Sequence, residues 1–166
     1  MRIRRATSAD VPAMMKVEVQ SPGAAHWSRP QYERLFTATP NPSQSERLVW
    51  VVENESDERS GKNSNENREV LAFLVAHRID ADWELENLVV AQPVRKRGIG
   101  TLLLEKLIAQ VRDDTGRSIF LEVRESNEGA SRLYQKLGFQ QVGLRKGYYQ
   151  NPSEDAMLFR LSLEFS

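Results

Sequence analysis

Cysteine is absent from this chain, which excludes disulfides, thiol nucleophiles and thiolate metal sites. Histidine is scarce. His26 and His77 stand far apart in sequence, so no histidine-based metal site is expected and both read as structural or surface residues. Charge of one sign is missing too. Lys+Arg and Asp+Glu both number 23, for a formal net charge of +0. Direct nucleic-acid binding and attraction to an anionic membrane are therefore not expected, and only local basic clusters can steer a ligand. No apolar run is long enough to span a bilayer, and Met1-Arg2-Ile3-Arg4-Arg5 is followed by none that would make a signal peptide. A cytoplasmic protein is the expectation. Its 166 residues suffice for one domain, 1–166, with a sizeable core.

The most informative stretch present runs from Val94 to Leu107. Arg95-Lys96-Arg97-Gly98-Ile99-Gly100-Thr101 follows the apolar run Leu85 to Ala91 and leads into an amphipathic segment. Glycine lets the backbone turn sharply and lets a ligand approach its N–H groups. The first N–H groups of a helix have no intrahelical partner, and the macrodipole makes that end positive. Strand, glycine turn and helix start together form a site for an anion such as pyrophosphate. A plain surface connection explains the spacing about as well. The Rossmann fingerprint fails because Leu103 stands where its third glycine belongs, and the Gly-Lys-Ser/Thr of a P-loop is absent.

Around this turn the chain alternates strands and helices. Ile3 begins a short strand. Ser8 is placed as the cap of a helix with Pro12 in its first turn and Val11, Met14, Met15 and Val19 inward. Ser21-Pro22-Gly23 ends it. Ser28 and Gln31 fit a capping box for a second helix carrying Leu35 and Phe36, stopped by Pro40-Asn41-Pro42. Leu48–Val52, Val70–Ile79 and Trp83–Val90 read as an antiparallel meander. The polar segment 53–67 reads as a flexible loop between its first two strands. The helix from Gly98 has Ile99, Leu102, Leu103, Leu107 and Val111 on one face, with Gly116 as its C-cap. The strand Ser118–Arg124 makes that helix a crossover between parallel strands. Asn127 caps a helix whose Ala130, Leu133, Tyr134 and Leu137 share a face, and Gly138 ends it. Gln140–Tyr149 and Ala156–Phe165 close the sheet through Asn151-Pro152. The fold class is α/β (α+β): a mixed, mostly antiparallel central sheet with a parallel strand pair at the ligand cleft and helices on both faces.

Arg95-x-x-Gly98-x-Gly100 at a strand-to-helix junction resembles the acetyl-CoA signature of the GCN5-related N-acetyltransferase (GNAT) superfamily. Leu121-Glu122-Val123-Arg124-Glu125-Ser126-Asn127 and Leu133-Tyr134-Gln135-Lys136-Leu137-Gly138-Phe139 are similar to its second half. With Tyr148-Tyr149 and Glu154-Asp155-Ala156, the pattern most resembles the ribosomal-protein-alanine N-acetyltransferases. The likeness is close from Glu86 to about Phe159; before that, Trp27-Ser28 matches a family pair, with His26 where proline is usual. The resemblance implies acetyl-CoA as acetyl donor and no metal. It implies that backbone groups of Leu88, Val89 and Val90 meet the acetyl and pantetheine portion. Backbone N–H groups of Arg95, Lys96, Arg97, Gly98, Ile99, Gly100 and Thr101 would hold the pyrophosphate, and Asn127 the pantetheine arm. Glu122 would be general base and Tyr134 general acid, with Trp27, Tyr148 and Tyr149 bordering the acceptor. The implied acceptor is the N-terminal α-amine of a protein or peptide, a ribosomal protein in the closest subfamily.

The chemistry agrees with those residue types. Attack on a thioester needs a neutral amine, and a carboxylate can take its proton directly or through one water. The oxyanion needs a donor, which a strand-edge N–H near Val90 can supply. The leaving thiolate needs a proton, which a phenol can give. No cysteine or serine nucleophile is required, so transfer is direct, in a ternary complex. The residues by themselves leave other readings open. Glu122 shares a strand face with Phe120 and suits a solvated face; Tyr134 suits a core; Asn127 suits an N-cap; Tyr148 and Tyr149 suit packing across a sheet. Transfer to a small amine or a lysine side chain, and a non-catalytic acyl-CoA-binding module, are the competing functions.

Overall fold

The computed structural model describes residues 1–37, 46–55 and 69–163. Its strands are β1 (Arg2–Arg5), β2 (Arg47–Glu53), β3 (Val70–Ile79), β4 (Asp82–Val90), β5 (Ser118–Arg124), β6 (Gln140–Tyr149) and β7 (Glu154–Ser162). Its helices are α1 (Val11–Val19), α2 (Arg29–Arg34), α3 (Ile99–Asp113) and α4 (Glu128–Lys136). The strands form one seven-stranded sheet in the order β1-β2-β3-β4-β5-β7-β6. Every pair is antiparallel except β4–β5. This is the expected mixed, mostly antiparallel sheet.

Strand alternation divides the core in two. Leu48, Trp50, Val52, Leu74 and Ile119 face α3 and α4, where Leu103, Leu104, Leu107 and Phe139 cover them. Val49, Val51, Phe73, Val75 and Val89 face α1 and α2, meeting Val11, Met14, Val17 and Tyr32. Two irregularities at β4 then make the cleft. Opposite β3, Val75 pairs with Asn87 and Ala76 with Leu85, so Glu86 is the extra residue of a β-bulge. The bulge resets the alternation, and Leu85 and Leu88 pack on the same core. Beside β5, parallel pairing covers only Asp82–Glu84 with Ser118–Phe120. Beyond those pairs the strands part, and a cavity lies between Leu85–Leu88 and Leu121–Arg124.

Several local expectations are corrected. The turn before α1 is closed by Asp10, not Ser8: its carboxylate accepts from the Thr7 N–H at 2.8 Å and also grips Arg4. Val19 is 74% exposed, because its neighbour Glu18 takes the inward position and is 1% exposed. Leu102 is 47% exposed, since the buried face of α3 centres near Leu107, on the opposite side. The last strand starts two residues earlier than expected, at Glu154. Glu53, assigned to the polar loop, is instead the buried end of β2, where Arg4 bonds it at 2.9 Å. The rest of that loop from residue 56, the Pro40-Asn41-Pro42 stop and the chain end beyond Leu163 lie outside the described residues. The capping box of Ser28 and Gln31 is present, the Ser28 N–H donating to Gln31 at 2.8 Å.

Gly116 is not the cap of α3. Thr115 holds the left-handed conformation there (φ 56). Gly116 follows because a Cβ would collide with the Val111 side chain and lie 3.1 Å from Trp83 Cδ1. Gly116→Ala should therefore destabilise the fold by about 1–3 kcal/mol through overpacking. Urea unfolding measures this, and an unchanged midpoint would show that the corner relaxes freely.

Candidate functional site

α3 begins where the glycine turn ends. Gly98 is its N-cap at φ 80, and Lys96 also has positive φ (61). The first bond of the helix runs from the Leu102 N–H to the Gly98 carbonyl at 2.9 Å. The N–H groups of Ile99, Gly100 and Thr101 thus have no acceptor within the helix. All three residues line a cavity of about 450 Å³, with Arg95, Lys96 and Gly98. Its other walls are Leu88, Val89 and Val90 of β4, Asn127, Leu133 and Tyr134 around α4, and Ser21 to Ala24 of the loop between α1 and α2. Gly100 is needed for packing as well, since a Cβ there would lie 3.1 Å from Leu133 Cδ2. The Arg95 guanidinium bonds the Val90 carbonyl at 2.9 Å and so pins the turn to β4. Arg97 is exposed and is not among the lining residues. An apolar wall leading to a ring of free N–H groups and cations suits a long ligand ending in phosphates.

The gap between β4 and β5 is a second cavity of about 100 Å³. It shares Gly23, Ala24, Leu88, Asn127, Ala130 and Tyr134 with the first, so the two adjoin. Glu122 and Tyr134 both line it, as does Tyr149. Asn127 acts as a cap, its side-chain oxygen accepting from the Ala130 N–H at 3.3 Å, and still borders both cavities. The cap and lining roles are thus compatible. Gly138 (φ 96) ends α4 with Phe139 N–H bonded to the Tyr134 carbonyl at 3.0 Å, a Schellman closure that seats Phe139 on the Tyr134 ring.

Glu122 projects from the face of β5 opposite Leu121 and Val123, as alternation requires. Arg145 of β6, which the sequence reading did not single out, lies 3.1 Å from its carboxylate. The Tyr148 hydroxyl donates to the same carboxylate, and that bond, with burial, raises the Tyr148 phenol above its usual range. Burial, then Glu122, pushes Tyr149 up to about 12. Burial, then Tyr149, lifts Tyr134 higher still. All three phenols are therefore proton donors at neutral pH. Arg124 stacks 4.2 Å over the Tyr149 ring and pairs with Glu154 at 3.3 Å, fastening the β6–β7 hairpin to the end of β5.

Trp27 lines neither cavity. It packs on Tyr32 at 5.5 Å between ring centres, and its backbone N–H donates to Glu18 at 3.1 Å. Tyr148 lines neither cavity and meets the site through Glu122, through Arg145 over its ring at 5.5 Å and through the Tyr149 ring at 5.1 Å. His77, read as structural, belongs to a charged cluster: its Nδ1 lies 3.1 Å from Glu86 and 3.7 Å from Glu84. One ligand atom from each lies within 4.8 Å of the others, a spacing a cation could use, but Arg47 already stands 3.4 Å from Glu86. Burial raises the Glu84 carboxyl; His77 opposes the shift, while Glu86 and Glu122 add to it. Distance in sequence hides these partners. Arg145, Arg47 and Glu18 sit in segments whose local pattern says only helix or strand.

The model of the acetyltransferase (GNAT) family matches residues 21–139. Over 126 residues the chain is 39% identical to the ribosomal protein bS18-alanine N-acetyltransferase of Haemophilus influenzae, covering 74% of this chain and 84% of that protein. The Salmonella typhimurium protein of the same name is 30% identical over 159 residues, 95% of this chain and 94% of its own. In fold, the crystal structure of the Escherichia coli ribosomal-protein-S18-alanine N-acetyltransferase superposes with a TM-score of 0.75 at 24% identity, covering 99% of this chain and 95% of that one. Arabidopsis thaliana NAA60 in complex with a bisubstrate analogue gives 0.79 at 16% identity, with 98% and 99% covered. The glycine turn, the bulged β4 and the parted parallel strands all lie within the matched span, and the chain belongs to the acetyltransferase (GNAT) family.

Proposed function

We propose that this protein transfers the acetyl group of acetyl-CoA to the N-terminal α-amine of a protein, of the ribosomal-protein type, by direct attack in a ternary complex. One observation carries the reading. A cavity lined by a carboxylate and a buried phenol, Glu122 and Tyr134, opens beside the cavity built on the glycine turn. The N–H groups of Ile99, Gly100 and Thr101, with Lys96 beside them, hold the pyrophosphate, whereas the Arg95 N–H is already bonded to the Gln92 carbonyl at 3.3 Å. Leu88 to Val90 and Asn127 flank the pantetheine arm and direct the thioester to the gap between β4 and β5. Glu122 takes the proton of the acceptor ammonium. The amine nitrogen then bonds the thioester carbonyl carbon, while a β4-edge N–H near Val90 bonds the oxyanion. As the C–S bond breaks, Tyr134 gives its proton to the sulfur, which leaves as the thiol, and the second proton of the amine nitrogen passes back to the Tyr134 phenolate, leaving a neutral amide.

The place beside Glu122 that Arg145 occupies is suited to a cation. An amine acceptor arrives as one, which favours amine over alcohol acceptors. Tyr149 and Tyr148 border the entering chain, and Trp27 acts from behind the loop that walls it. The names of the relatives above, one matching nearly the whole chain, support a protein N-terminus over a small amine or a lysine side chain. A ribosomal-protein acceptor supports a cytoplasmic site of action.

Thiol release from acetyl-CoA should be fastest with peptides bearing a free N-terminal alanine. It should fall to background when that amine is blocked and only lysine remains; no turnover with any amine would sink the enzymatic reading. Glu122→Gln should lower kcat by about 10²–10⁴-fold and leave acetyl-CoA binding by calorimetry nearly unchanged. Full activity across pH would remove the base assignment. A Cβ added at Gly98 would meet no atom within 4 Å, but the β-branched residue of Gly98→Val is strained at positive φ. The turn should relax and acetyl-CoA bind about tenfold more weakly, a cost of about 1–2 kcal/mol. Unchanged affinity would take the turn out of the site.

A further inference from the structure

Glu18 takes no part in the chemistry above, yet it is 1% exposed on the inward face of α1. Its two oxygens are divided between two elements. Oε1 accepts from the Asn87 side-chain amide at 3.0 Å, and Oε2 from the Trp27 backbone N–H at 3.1 Å. The buried Tyr32 hydroxyl faces the same carboxylate. Asn87 directly precedes Leu88 in the bulged part of β4. Trp27 closes the loop from Ser21, whose Gly23 and Ala24 line both cavities. The other end of that loop is tied separately, Ser21 Oγ donating to the Val17 carbonyl at 2.8 Å.

A buried charge is retained only where donors surround it. Here one donor closes the loop whose Gly23 and Ala24 line both cavities, and the other stands on β4 next to Leu88. We propose that Glu18 is a positioning residue for acyl transfer, holding the loop 21–28 at a set distance from β4 so that the acceptor amine meets the thioester. The proposal rests on the reading of the cleft given above. Glutamine at position 18 has the same shape but no charge, so both ties lose their charge assistance, and its NH₂ can face Asn87 only if the Asn87 amide turns over to present its oxygen.

Glu18→Gln should raise the KM of the acceptor peptide about tenfold, the loss of charge assistance at the two ties. Acetyl-CoA affinity should stay within about threefold, because its pyrophosphate contacts lie on α3. Hydrogen exchange at the Trp27 backbone amide should accelerate about tenfold, with or without peptide. Glu18→Gln combined with Asn87→Asp reverses the donor and acceptor at the β4 tie and frees the glutamine oxygen for Trp27; both readouts should return towards the parent protein. Unchanged KM and exchange in the single variant, or no recovery in the double variant, would overturn the proposal. Should Glu18→Gln fail to fold, Asn87→Ser cuts the β4 tie alone. It should raise the peptide KM, and an unchanged KM would overturn the proposal equally. A parent protein that acetylates no amine sinks the functional reading instead, and Trp27 exchange then judges the tie by itself.

Discussion

The fold depends on how little β4 and β5 share. Parallel strands must be joined by a crossover, and α3 supplies it. They bond over three residue pairs and then diverge. Continued pairing would fill the gap with a ladder and leave no room between Glu86 and Glu122. Parting leaves backbone groups of both strands without a strand partner, and exposed groups of that kind bind ligands. The same crossover brings the N-terminus of α3 to the mouth of the gap. Its N–H groups and the opened strand edges therefore face one continuous space.

Around the cleft stand three carboxylates that a core would exclude, and all three have partners. Glu122 has Arg145 and Tyr148. Glu18 has Asn87 and Trp27, and Glu86 has His77 and Arg47. Partners come from different strands and helices, so the polar network also fixes how those elements sit. The phenols of Tyr134 and Tyr149 are raised above their usual range because burial penalises their anions. A carboxylate with a cation beside it and neutral phenols nearby give the gap both a proton acceptor and proton donors.

Much of this was legible in the residues. β5 matches its expected bounds, Ser118–Arg124, because alternating Ile119, Leu121 and Val123 bounded by polar positions leave no other register. Asn127 and Gly138 stand at the helix ends they were assigned, and Gly98 at the start of α3, since cap geometry is a local matter of φ and one hydrogen bond. Val19, Leu102 and Gly116 were misread for a common reason. Which of two adjacent positions faces inward, or which of two residues takes the left-handed turn, depends on what packs opposite. Trp83 and Val111 leave no space for a side chain at 116, and composition carries no trace of that.

The chain by itself determined its elements, the anion-binding turn and the pairing of a glutamate with a tyrosine in family-like runs, because those rest on periodicity and short-range backbone chemistry. Tertiary structure decided what each meets. It set the bulge at Glu86, drew Arg145 onto Glu122, turned Trp27 away from the cavities and buried Glu18 between a loop and a strand. Those contacts join residues tens of positions apart, and only packing brings such residues within the few ångströms over which hydrogen bonds and ion pairs act.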